Sequence, residues 1–147
     1  MSSPAKRSVA RALVDTGAIV ALFNLDDPHH GAAAGWFKEF RGQLLTTEAV
    51  VTETAYVLAA SPPHRRAALA WIGRGRAAGL LKVEPVFDHS MVSRILDRYA
   101  DLPCDFADAT LIELAERAGI SAIATIDQRD FSVYRLRGRK RFRILLP

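Results

Sequence analysis

Val9-Ala10-Arg11-Ala12-Leu13-Val14-Asp15-Thr16-Gly17-Ala18-Ile19-Val20-Ala21-Leu22-Phe23 is an apolar run interrupted near its middle by one acid. A carboxylate inside a core-like segment is costly unless something pairs with it, so Asp15 is the residue that needs a reason. The residues before it read as a short buried strand, and Ala18, Val20, Ala21, Leu22 and Phe23 read as a compact helix. Asp15 then stands at the carboxyl end of a strand, the edge where open α/β sheets carry their ligands.

Working outward, the same alternation continues. After a polar loop with Pro28, a helix starting near Gly31 presents Ala33, Trp36, Phe37 and Phe40 at helical spacing. His29 and His30, adjacent and next to that proline, make poor chelators and suit a turn or helix start. Residues 43–47 read as a strand and 48–60 as a helix with Val50, Thr54, Val57 and Leu58 inward. Pro62-Pro63 opens a helix whose apolar set is Ala67, Leu69, Ala70, Trp71 and Ile72, with Arg65, Arg66, Arg74 and Arg76 on its solvated side. Residues 80–86 read as a strand placed at an edge or ended by Pro85. Asp88 opens a helix through Met91, Val92, Ile95, Leu96 and Tyr99. The next helix runs over 105–119, with Gly119 at its C-terminus. A further short strand, 121–127, ends in Asp127 as the first ends in Asp15, and the closing Ile144-Leu145-Leu146 reads as an edge strand.

Strands alternating with helices predict a parallel sheet covered on both faces, a three-layer α/β/α sandwich. At 147 residues, half of them apolar, a single domain over 1–147 with a real core is expected. Its basic residues gather in a C-terminal edge segment, 135–147. The single cysteine, Cys104, rules out an internal disulfide and a cysteine-based zinc site, and fits a reducing cytoplasm. Arg11 and Asp15 break up the apolar stretch that a signal peptide needs, and no segment reaches the roughly 18 apolar residues of a membrane span. The net charge of +4 favours a polyanionic partner, nucleic acid first.

Three further acids intrude on apolar faces. Glu53 lies within about 60° of both Val50 and Val57 around its helix. Asp108 falls among Leu111, Ile112 and Ala115, with Asp105 one turn earlier, where it serves either as an N-cap or as a ligand. Asp15 and Asp127 end strands at one sheet edge, so Asp15, Glu53, Asp108 and Asp127 can converge on one pocket. Carboxylates that close repel unless protonated or neutralised by a cation. An oxygen-only donor set selects Mg2+ or Mn2+ over zinc. Such an ion in an acidic cleft flanked by basic surface suits phosphodiester hydrolysis. Thr16 and Thr125, beside the acids, suit orienting an acid or a water.

Val14-Asp15-Thr16-Gly17 with Ala21-Leu22, Thr52-Glu53-Thr54, Ala107-Asp108-Ala109, and Thr125-Ile126-Asp127 with Phe131 together resemble PIN-domain proteins, especially the VapC-type toxin ribonucleases. The resemblance spans nearly the whole chain, and its weight lies in the order of the four motifs. It implies a PIN-like fold and a metal-dependent endoribonuclease that cleaves RNA. It also implies a cognate antitoxin protein that blocks the site, and a homodimer. The family's acidic quartet falls on Asp15, Glu53, Asp108 and Asp127. Many relatives carry a small polar residue at the position of Asp105, which leaves ligand and cap both open there. Serine usually follows the threonine of the first motif, where this chain has Gly17. Arg135, Arg137, Arg139, Lys140 and Arg141 form a heavier basic tract than usual. It reads as an RNA- or antitoxin-contacting surface, or as an edge protected from aggregation by charge.

Two rival classes remain. A catalytically silent PIN fold that binds RNA or protein is disfavoured by the intact acids. Asp15-Thr16-Gly17 is also the local signature of an aspartic protease, but that class needs an all-β chain, and helical periodicity fills this one.

Overall fold

The structure, a computed structural model, describes residues 10–147. β1 (Arg11–Val14) is its central strand. Ala12, Leu13 and Val14 are wholly buried, because a strand covered on both faces is continuously apolar rather than alternating. β1 leads through Asp15 into α1 (Thr16–Phe23) and α2 (His30–Glu39). β2 (Gln43–Thr47) lies parallel to β1 with Leu45 opposite Leu13, then runs into α3 (Glu48–Val57), a 3-10 turn (Leu58–Ala60) and α4 (Pro62–Ala77). β3 (Leu81–Glu84) adds outside β2 and is followed by α5 (His89–Arg98) and α6 (Phe106–Ala118). β4 (Ala122–Ala124) pairs with the other side of β1. The chain closes with α7 (Gln128–Val133), an antiparallel hairpin of β5 (Arg135–Leu136) and β6 (Lys140–Arg141), and β7 (Arg143–Ile144).

The sheet order is β3-β2-β1-β4-β7, with every neighbouring pair parallel. Parallel crossovers are right-handed, so the direction of each step decides which face its helices cover. Steps from β1 to β2 and β2 to β3 go one way and place α1 to α4 on one face. The step from β3 to β4 goes back past β1, which places α5 and α6 on the other. The expected three-layer sandwich results. No helix among the described residues is long and apolar enough to cross a membrane.

The reversal of direction between β1 and β4 opens a crevice at the carboxyl ends of these two strands, the position at which ligands bind in such sheets. Asp15 follows β1 directly, and Thr125 follows β4.

Several sequence expectations shift. Val57, Ala67, Leu69 and Ala70, expected inward, are exposed; of the set expected on α4 Ile72 is buried and Trp71 half-buried, and Ala68 completes the buried face. The basic tract is not one edge strand: residues 135–141 form a hairpin of their own, and only β7 closes the main sheet. α7 was not legible as a helix. Its Phe131 and the following Tyr134 are wholly buried, stacked edge-on with ring centroids 5.1 Å apart. His30, as expected, serves the start of α2, its Nδ1 lying 2.8 Å from the Ala21 carbonyl.

Glu113 in α6 is 2% exposed and carries no signal in the sequence pattern. Arg117, one turn on, donates to both of its oxygens at 3.2 and 3.3 Å and to the Pro85 carbonyl at 3.0 Å. Its guanidinium also lies 3.8 Å from the ring centroid of Phe87, whose N–H donates to Glu113. This group ties α6 to the end of β3. Truncating one member of a buried pair leaves the other uncompensated, so Arg117→Ala should cost about 2–3 kcal/mol, less than a fully buried pair because Arg117 keeps some solvent contact. Adding Glu113→Gln should recover part of that loss. Urea unfolding of the single and double variants measures both, and equal stabilities for wild type and Arg117→Ala would contradict the assignment.

Candidate active site

Asp15 is an N-cap as well as a strand terminator. Its Oδ1 accepts the Ala18 N–H at 3.0 Å, satisfying a free donor of the first turn of α1. Its Oδ2 accepts the hydroxyl of Thr125, and that hydroxyl oxygen in turn accepts the Asp127 N–H at 2.9 Å. Asp127 caps α7 through the Asp130 N–H at 3.1 Å. One threonine therefore couples the two aspartates that follow neighbouring strands.

The other wall comes from α3 and α6. Thr47, at the end of β2, caps α3 by accepting the Val50 N–H, and its hydroxyl lies 2.8 Å from that of Thr110 in α6. This contact sets α3, with Glu53, beside the first turns of α6. Asp105 caps α6 by accepting the Asp108 N–H at 2.8 Å, so the capping role open in the sequence is filled. The cap occupies its Oδ1 and leaves Oδ2 for a further partner. Asp108 accepts the Tyr134 hydroxyl at 3.3 Å. Glu53 and Asp105 line a cleft of about 490 Å³ between α3 and the start of α6, its rim formed by the exposed rings of Tyr56 and Phe106.

These acids feel one another without any cation among them. None of the ion pairs in the described residues involves Asp15, Glu53, Asp105, Asp108 or Asp127. Burial raises the Asp15 carboxyl to about 6, against the lowering effect of the Thr125 and Ala18 bonds. Burial, then the neighbouring Asp105 carboxyl, raises Glu53 to about 7. Asp108 reaches about 8 through burial and the charges of Asp105, Asp15 and Glu53. Burial above all, with Asp108 alongside, pushes the Tyr134 phenol well above its usual range, so it stays a donor.

Among the described residues no three Asp, Glu, His or Cys side chains are gathered closely enough to hold a metal ion as they stand. The donor set nevertheless fits a hard cation. It is all oxygen, it is starved of positive charge, and each capping aspartate retains lone pairs beyond the one its cap uses. One further atom points the same way: the buried Thr16 hydroxyl has no hydrogen-bond partner. It lies close enough to Glu53 to favour that carboxylate's charged form, yet outside bonding geometry.

The structure thus brings together Asp15, Glu53, Asp105 and Asp108, with Asp127 joined to them through Thr125 and Asp15. Arg135, Arg137, Arg139, Lys140 and Arg141 lie apart from them, on the hairpin. Tyr134 was missed by sequence reasoning. A tyrosine preceding a basic tract carries no local signal, and only the fold, which sets Tyr134 after α7 beside the first turn of α6, reveals its contact with Asp108. Gly17 packs against Ile126, where an added Cβ would come within 3.0 Å of Ile126 Cγ1. The usual serine would therefore displace Ile126 by a few tenths of an ångström.

A family model described as PIN domain matches residues 12–136. The chain belongs to the PIN-domain family, among its VapC-type members. Ribonuclease VapC26 of Mycobacterium tuberculosis is 30% identical over 135 residues, which span 90% of this chain and 98% of that protein. The crystal structure of VapC20 from the same organism, described as a sarcin-ricin loop cleaving toxin, aligns with a TM-score of 0.70 at 25% identity. That alignment covers 80% of this chain and 91% of the other.

The raised carboxyls make stability depend on pH in a definite direction. Asp15 and Asp108 start from 3.8 and Glu53 from 4.5 in the unfolded chain, so between about pH 4 and 8 the folded state binds more protons. Their contribution is fully present below about pH 4 and is lost as pH rises through 6, 7 and 8. In EDTA, Tm should fall between pH 5 and 8, Asp108→Asn should flatten the upper part of that fall, and Mg2+ should restore more stability at pH 8 than at pH 5. A wild-type profile parallel to that of Asp108→Asn would refute this.

Proposed function

We propose that this chain is a metal-dependent endoribonuclease and the toxin of a toxin–antitoxin pair. The observation that carries this reading is the set of uncompensated carboxylates at the switch point between β1 and β4. It is supported by the identities of its relatives, a ribonuclease and a toxin that cleaves the sarcin-ricin loop.

Asp15, Glu53, Asp108 and Asp127 would hold Mg2+ or Mn2+, with Asp105 beside them serving both as cap and as an outer acid. The ion, when bound, lowers the pKa of water and stabilises negative charge on the phosphorane. Hydrolysis adds a hydroxyl to phosphorus, breaks one P–O bond and leaves a proton to be placed. Glu53, half-buried at the border of the cleft and so partly open to solvent, is suited to take that proton and return it towards the leaving oxygen. Thr125 fixes the orientation of Asp15, and the Tyr134 hydroxyl does the same for Asp108. Thr16, with its unpartnered hydroxyl, is positioned to meet whatever fills the space beside Glu53. No protein nucleophile is needed.

In this reading the cognate antitoxin covers the acidic cleft, and the working assembly is a homodimer. The silent-binder alternative has no observation of its own in its favour.

Cleavage of a mixed RNA substrate should require Mg2+ or Mn2+ and stop in EDTA. Asp15→Asn and Asp108→Asn should each lower the rate on the order of 100-fold or more. Thr125→Val, which leaves every acid in place, should cost about 10- to 100-fold by freeing Asp15 to turn. Cleavage that persists in EDTA, or that survives Asp108→Asn unchanged, would sink the reading.

A further inference from the structure

On the face covered by α5 and α6, next to the acid cluster but sharing none of its residues, lies a cleft of about 570 Å³ between these helices and the β5–β6 hairpin. Five arginines line it: Arg94 and Arg98 from α5, and Arg135, Arg137 and Arg139 from the hairpin. A single acid, Glu116, lines it with them and is engaged by Arg137 at 3.4 Å. Arg94, Arg98 and Arg139 have no acidic partner among the described residues. Arg135 spends its guanidinium on the carbonyls of Ser132, Val133 and Tyr134, closing the end of α7, but keeps its charge. Arg94 and Arg98, four residues apart, share one face of α5.

The cleft and the acid cluster lie along one line. Asp108, Ile112 and Glu116 follow one another at four-residue spacing on α6, and Ile112 and Glu116 line the cleft. The cleft floor therefore begins about 6 Å from the Asp108 backbone and extends to about 12 Å. Tyrosines form the partition. The Tyr134 hydroxyl holds Asp108, while the next residue, Arg135, donates its N–H to the Tyr99 hydroxyl at 2.8 Å. Tyr99 itself lines the cleft and packs against Tyr134 with ring centroids 4.9 Å apart.

A second observation concerns Arg139. It has φ 61°, and it is the one residue other than glycine with positive φ among those described. The hairpin turn needs left-handed backbone at two successive positions; Gly138 fills the first without strain, whereas arginine at the second is strained. Glycine or asparagine would make the same turn more easily, so the turn does not account for the arginine. Its place on the cleft does.

We infer that this arginine cleft is the seat for the phosphate backbone of single-stranded RNA flanking the bond to be cut. The inference rests on the ribonuclease reading for its substrate and deepens it by assigning the strand's path: away from the acids, over the Tyr134–Tyr99 partition, and along α6 toward Glu116. Guanidinium groups match phosphate oxygens bidentately, and neutralising phosphates with arginines makes binding fall with salt.

Binding of a 20-nucleotide oligouridylate, measured by fluorescence anisotropy in EDTA from 50 to 200 mM KCl, tests this without cleavage. Arg94→Ala/Arg98→Ala should weaken binding about 10-fold at the lowest salt and flatten the log–log salt slope by roughly 1.4, or 0.7 for each phosphate that is no longer neutralised. Arg139→Gly removes charge and strain together, so it should weaken binding several-fold while Tm holds or rises. That combination separates direct RNA binding from a structural role. Arg66→Ala/Arg74→Ala, on α4 of the opposite face, should bind like wild type. With Mg2+ present, the α5 variant should raise KM and leave kcat nearly unchanged. Wild-type protein that does not bind the oligonucleotide, α5 and hairpin variants that bind like wild type, or an equal loss in the α4 variant would each overturn the inference. So would tighter, arginine-dependent binding of a 20-residue polyglutamate than of the RNA, which would make the cleft a protein-docking site. Arginine-dependent RNA binding together with undiminished cleavage by Asp108→Asn would uphold the cleft and remove the acidic-site reading instead.

Discussion

The hydroxyl of Thr125, lodged between Asp15 and the Asp127 backbone, is the contact on which the site's arrangement depends. It spans the one place where the sheet changes direction, so it joins two strands that are adjacent in space and separated by most of the chain. Without a donor there, Asp15 would have only the Ala18 N–H to hold it inside a segment otherwise wholly apolar. An isolated buried carboxylate is costly enough to reorganise or protonate. With Thr125 present, a buried acid can be oriented and still retain lone pairs for another partner.

The rest of the acid cluster follows from how helices begin. Asp15, Asp105 and Asp127 each spend one oxygen on the first turn of a helix, which stabilises that helix locally and lends its positive N-terminal end to the carboxylate. Such help is partial. Asp15, Glu53 and Asp108 are all raised, and burial is the first cause in each case, ahead of any neighbouring charge. Here stability and function pull in opposite directions: replacing the acids by neutral groups would relieve the fold, and the same replacements would remove the oxygen donors a hard cation requires.

Much of this was legible in the sequence, for reasons that can be named. Asp15 and Asp108 were visible because each interrupts an apolar pattern that would otherwise be complete, and the alternation of strand and helix fixed which edge they share. Glu53, on the border of its stripe, was visible only in company with them. Asp105 was ambiguous because capping and ligation ask for the same residue type; the Asp108 N–H resolves the first role. Glu113 is more deeply buried than any of these acids, but its neighbours around α6 include Thr110, Glu116 and Arg117, so in the sequence it looks like part of a solvated face. Its pairing depends on Phe87 and Pro85, brought there by β3. Tyr134 and α7 were hidden for a related reason. A helix of one and a half turns leaves no period to read, and Phe131 and Tyr134 reveal their burial only when the fold brings Phe142 and Tyr99 against them. Val57 and Leu69 failed in the opposite sense, being apolar residues that the helix rotation turns outward.

The protein's charge is divided by that same buried tyrosine pair. On one side the acids sit with no cation to neutralise them; on the other, arginines outnumber the one acid that lines their cleft. Had the two sets been mixed, they would have paired with one another, as Arg117 does with Glu113, and neither would retain a demand for an outside partner. Tyr134 and Tyr99 keep them apart with two rings that carry no charge, yet each hydroxyl is bonded, one to Asp108 and one to the Arg135 backbone. An anionic chain approaching this surface is attracted by the arginines and repelled by the acids unless a cation accompanies it. With a cation on the acids and RNA on the arginines, as proposed above, the separation would make the two favour one another, since each would supply the charge that the other's half of the site lacks.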